Sequence, residues 1–260
     1  MTMKNIILFL LLSSMSLYCF AQVAVNRTDA RGMKQGKWVG KYPDGTLKYE
    51  GKFLNDKPIG EWKRYHENGK IKAQMSYYQN SDRAFASLFE PDGRLYAKGV
   101  FDRTLRDSTW NYYSGDKVVL TENYLLGKKE GISKTFDQKG QGLSQKEWKN
   151  DLLDGKAIEY YPNGLRRSEI AFVGGVKNGL ALFFDQDGDK TVEGNYKEDL
   201  SEGEWKFFDK DGKVKYRIQY EKGNIVNSAA LDSMQLNEFK KFDKLKGKIP
   251  EPAVNETGRP

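Results

Sequence analysis

One histidine, one acidic loop and a few closely spaced carboxylates are the residues here whose types could do chemistry. His66, the single histidine, has the side chain best suited to moving protons near neutral pH. A general base needs a nucleophile within reach, however, and the flanking residues, His66-Glu67-Asn68-Gly69, are those of a turn. Asp185-Gln186-Asp187-Gly188-Asp189 has the carboxylate density of a calcium loop. Such a loop wants glycine at its sixth position and glutamate at its twelfth, where this chain has Lys190 and Tyr196. Glu202 and Glu204 straddle a repeat turn and show no acid–base pairing. The aromatics could form a stacking surface for a carbohydrate, but their strict period assigns them first to packing. The expectation is a chain with no catalytic residue, cofactor site or metal site, and not an enzyme.

The elements that would position these residues repeat. Turn glycines fall at Gly45, Gly69, Gly93, Gly115, Gly140, Gly164, Gly188 and Gly212, about 24 residues apart, most of them after Asp or Asn. Asp-Gly and Asn-Gly tolerate positive φ and mark tight hairpin turns. A second glycine slot alternates with the first: Gly36, Gly60, Ala84, Ser108, Gly131, Gly155, Gly179 and Gly203. It predicts a second turn, so each unit holds two strands. Two residues later comes a slot filled by Trp38, Trp62, Ala86, Trp110, Ser133, Ala157, Ala181 and Trp205.

Aromatics such as Phe53, Tyr65, Tyr77, Phe89 and Phe101, and later Tyr196, Phe208 and Tyr220, recur about every 12 residues, one at the end of each strand. Pairs such as Phe53–Trp62, Phe101–Trp110 and Tyr196–Trp205 are expected across neighbouring strands. Alternation in Ile71-Ala73-Met75-Tyr77 and Val214-Tyr216-Ile218-Tyr220 predicts one apolar and one wet face. Trp62 and Tyr65 are three residues apart, which breaks the period of two and predicts a bulge between them. About sixteen strands follow from this count, and the short turn at Ser114-Gly115 predicts a kink or a seam between two halves of four repeats. The fold class is therefore all-β: an elongated antiparallel β-hairpin repeat sheet or open solenoid.

The ends read differently. Residues 1–21 have Lys4 as a positive start, an apolar run from Ile6 to Leu12, and small residues before Gln22. This is the pattern of a signal peptide cleaved near Ala21-Gln22, and the run is too short for a membrane span. The mature chain, expected in the periplasm, on the outer envelope or secreted, would lose Cys19, its only cysteine. Residues 22–34 form a lead-in and 35–226 hold eight repeats. Leu236, Phe239, Phe242 and Leu245 predict a short capping helix over 227–247, and 248–260 read as a tail. The net charge of +7 is spread among interspersed acids and bases, which argues against nucleic acid as a partner. Hydrophobic content of 38% with 13% aromatics suits a thin, solvent-facing β protein.

The unit is written most fully twice. Gly60, Trp62, Tyr65, Asn68, Gly69, Ile71 and Tyr77 make one copy; Gly203, Trp205, Phe208, Asp211, Gly212, Val214 and Tyr220 make the other. This pattern resembles the MORN repeat variant of bacterial YwqK-type antitoxin-component proteins. The resemblance implies a β-hairpin repeat scaffold of the kind associated with protein partners, dimerisation and lipid contact. The function expected is an exported, non-enzymatic scaffold that binds a protein, or an anionic envelope lipid or glycan. An antitoxin that neutralises a cognate toxin is the alternative, and the oligomeric state is left open.

Overall fold

The computed structural model describes residues 24–226 together with Lys240. The expected signal peptide and tail, and all but Lys240 of the expected capping helix, lie outside the described residues. The chain divides at Arg103/Thr104 into two compact units rather than at the Ser114-Gly115 turn. That turn is simply a shorter hairpin loop, so it shortens the repeat without interrupting strand pairing.

The first unit holds β1 (Arg27–Thr28), β2 (Lys34–Lys41), β3 (Leu47–Leu54), β4 (Lys57–Tyr65), β5 (Ile71–Tyr77), β6 (Arg83–Phe89) and β7 (Leu95–Asp102). The second holds β8 (Leu105–Ser114), β9 (Lys117–Leu125), β10 (Lys128–Lys129), β11 (Gly131–Phe136), β12 (Gly142–Lys149), β13 (Leu152–Tyr160), β14 (Arg166–Val173), β15 (Val176–Phe184), β16 (Lys190–Lys197), β17 (Leu200–Phe208), β18 (Val214–Glu221) and β19 (Asn224–Ile225). Of these nineteen strands three have only two residues, which leaves the sixteen long ones that the sequence period predicts. Within each unit strands pair antiparallel with their chain neighbours, except that β10 and β11 both lie against β9. Residues 24–226 contain no helix.

Two hairpin loops alternate. At one margin Tyr42-Pro43-Asp44-Gly45 forms a β-turn, its Gly45 N–H donating to Tyr42 O, with Gly45 alone at positive φ. This is a three-residue loop closed by a glycine bulge. At the other margin the chain reverses in two residues that are both left-handed, as in Asn55-Asp56, Asn150-Asp151 and Glu198-Asp199.

These second turns correct the sequence expectation. Gly36, Gly60, Gly155, Gly179 and Gly203 do not turn the chain; they lie inside strands, each at positive φ. Glu50 pairs with Lys63 and Lys52 with Ile59, so Gly51 faces three residues, Gly60, Glu61 and Trp62. Gly194 faces Gly203, Glu204 and Trp205 in the same way. The glycine gives the strand its bulge and re-aims the tryptophan two residues on. A second register shift falls just before the closing aromatic, between Arg64 and Tyr65, and reconciles the three-residue spacing of Trp62 and Tyr65.

Candidate interaction surface

Each bulge lays its tryptophan over a glycine of the preceding strand. A Cβ on Gly51 would come within 2.1 Å of the Trp62 ring, and one on Gly194 within 2.1 Å of Trp205. The indole N–H groups of Trp62 and Trp205 donate to the carbonyls of Lys52 (3.0 Å) and Asn195 (3.1 Å) beside the bulges. Trp62 meets Phe53 and Tyr77 edge-on, and Trp205 meets Tyr196 and Tyr220. The expected pairs Phe53–Trp62 and Tyr196–Trp205 thus form, diagonally across the bulge rather than opposite in register.

The other framework residues build the margins. Tyr65 donates its hydroxyl to Glu50 (2.7 Å), and burial together with that carboxylate pushes its pKa up to about 12. Asn68 accepts from the Lys70 N–H (3.0 Å) and donates to Pro91 O (2.8 Å) in the next repeat's loop. Gly69 and Gly212 supply the left-handed loop residue. Phe208 lies under the Lys190 ammonium at 4.4 Å. Asp211 precedes Gly212 in its loop, and its backbone N–H donates to Asp209, which closes the turn from its first position.

The residues that could have done chemistry are stitches between repeats. His66 Nε2 lies 2.9 Å from Phe89 O, in the place where the Tyr42 and Tyr161 hydroxyls reach Tyr65 O and Phe184 O (both 2.8 Å). The acidic loop holds a side-chain cation: Lys210 Nζ sits 2.6 Å from Asp185 and 3.0 Å from Asp187. Those carboxylates raise the lysine pKa, and the lysine in turn holds Asp185 below its ordinary value. The opposite margin is laddered too. Asp56, Asp151 and Asp199 each accept from the backbone N–H of Lys34, Lys129 or Lys177, in the preceding repeat.

Part of the second unit departs from this framework. Where Ser133 fills the tryptophan slot, its hydroxyl accepts from Trp148 Nε1 at 2.7 Å. Glu122, 7% exposed, takes Tyr124 OH at 2.5 Å and Lys129 Nζ at 2.6 Å. Burial raises the pKa of Glu122, but the bonds from Lys129 and Tyr124 outweigh it and leave the carboxyl below its ordinary value. Burial pushes Tyr112 and Tyr124 up. Each partner is engaged by another in this cluster, which makes it a packed polar core.

The unsatisfied feature is apolar. Leu105, Leu125, Leu126, Leu152, Val173 and Leu200 are exposed along the two-residue-turn margin of the second unit. Leu126 is 65% exposed and left-handed, at φ 50°, where the equivalent turn positions hold Asn55, Asn150, Gly174, Glu198 and Lys222. That conformation costs a non-glycine residue about 1–2 kcal/mol. Leu105 leans towards Gly127 of this turn, as Leu152 does towards Gly175 and Leu200 towards Gly223. Sequence periodicity missed this strip because the turns had been placed at the bulge glycines, which left these leucines mid-strand.

No curated protein matches the chain. The MORN repeat variant family matches it at residues 34–55, 58–80 and 201–222, the stretches that contain Trp38, Trp62 and Trp205.

Proposed function

We propose that this protein is an exported, non-enzymatic repeat scaffold whose second unit docks a protein partner along its aliphatic margin. The single observation that carries this reading is Leu126, a strained and exposed leucine at a turn position that elsewhere holds Asn, Gly or a charged residue. Strain held at a surface position points to function. Acids and bases alternate around the strip, as in Lys128, Glu130, Lys149 and Asp151. Such a neutral rim suits a protein surface better than an anionic membrane. Export rests on the leader pattern of residues 1–21, and the segment 227–247 would cap the last strand as a helix.

The test is affinity capture from an envelope fraction with the wild-type chain and a Leu125→Ser/Leu126→Asn variant. The expected result is one stoichiometric partner captured by the wild type and lost in the folded variant. Equal capture by both rejects the strip. A captured toxin would make neutralisation the scaffold's task. Recovery of an N-terminus at Gln22 in the same fraction tests export.

A further inference from the structure

The first unit carries a feature that neither the repeat framework nor a protein partner requires. A cavity of about 270 Å3 is lined by Tyr42, Lys48, Tyr49, Arg64, Tyr65 and Lys72. Its three cations are exposed, and no described carboxylate pairs with any of them. Glu50, the nearest acid in sequence, is engaged by the Tyr65 hydroxyl and by Lys37 at 3.5 Å. Lys48 rests its ammonium 5.6 Å from the Tyr42 ring centre.

The fold converges these groups for stated reasons. Gly40 pairs with Tyr49 and Lys41 with Leu47, so Lys48 is the extra residue of a bulge. Arg64 pairs with Ala73 and Tyr65 with Ile71, which makes Lys72 its counterpart one repeat later. Gly40 leaves room for the Tyr49 ring, since a Cβ there would lie 2.2 Å from it. The other repeats break the combination: the Arg64 position becomes Leu88, Thr135 or Glu159 in equivalent register.

We propose that this cavity binds an acidic sugar, a pyranose carrying a carboxylate or sulfate, independently of the protein partner above. Uncompensated cations select an oxyanion, and the Arg64 guanidinium can present two parallel donors to it. Tyrosine faces offer flat apolar walls that match the C–H face of a sugar ring. The cavity is larger than a bare inorganic anion needs and takes about one ring, which suits one residue of an acidic polysaccharide.

Calorimetric titration of the chain at low salt with trigalacturonate, maltotriose and sodium sulfate tests the assignment. Trigalacturonate should saturate one site, more tightly than sulfate, while maltotriose gives no heat. Arg64→Gln and Lys72→Gln should each weaken trigalacturonate about tenfold, with unchanged thermal unfolding. Lys134→Gln, the same charge change in the second unit, should bind as the wild type does. Equal weakening by Lys134→Gln would show diffuse charge attraction and overturn the site. Equal affinity for maltotriose or for sulfate would overturn the acidic-sugar assignment, as would an absence of saturable binding.

Discussion

Two stretches of the second unit share one hairpin geometry and fill it in opposite ways. Across β15–β18, Ala181, Val192, Tyr196, Trp205, Phe207, Ile218 and Tyr220 form a continuous apolar cluster. Across β9–β12 the same layer holds Glu122, Tyr124, Ser133 and Ser144, with Thr135 Oγ1 lying 2.7 Å from Ser144 Oγ. Both regions pair antiparallel, and Asp151 and Asp199 ladder their turns to the preceding repeat in the same way. The lesson is that the ladders define the repeat, while the slot over each bulge can be apolar or polar if its groups are satisfied.

Breaking the apolar region should have the largest effect. Trp205→Ala empties the slot over Gly194 and should cost about 3–5 kcal/mol in a urea unfolding experiment. Ser133→Ala, in the polar region, should cost far less; similar losses would mean the two fillings are equally structural. Filling the glycine seat is the next test. Gly194→Ala puts a methyl into the Trp205 ring and should cost about 1–3 kcal/mol, whereas Gly142→Ala, with open space around it, should be tolerated.

The polar region should respond to acid. The Glu122 pKa is depressed in the folded state, so its contribution is complete above the unfolded value of about 4.3 and is lost as pH falls through the lower folded value. Glu122→Gln should therefore cost about 1–3 kcal/mol near neutrality and flatten the acid limb of a melting-temperature profile. An unchanged limb would remove Glu122 from the polar core's stability. The smallest effect is a gain: Leu126→Gly should stabilise by up to about 1 kcal/mol, while abolishing partner capture. A loss of stability would show that Leu126 packs within the fold.

Much of the repeat was legible in single residues. Gly69 and Gly212 announced the loops that they do turn, Trp62 and Trp205 the core slot, and the offset between Trp62 and Tyr65 the bulge. Gly60 misled because positive φ serves a bulge as well as a turn, and composition alone does not separate the two.

Periodicity, strand count and the all-β antiparallel class were determined by the sequence alone, because they depend on side-chain alternation and turn chemistry within about 24 residues. The tertiary structure alone decided which glycine receives each indole, that Lys210 occupies the acidic loop, that the leucines stand at a margin, and that Tyr49, Arg64 and Lys72 share one cavity. Those depend on register between strands, and two added bulge residues reassign every contact beyond them.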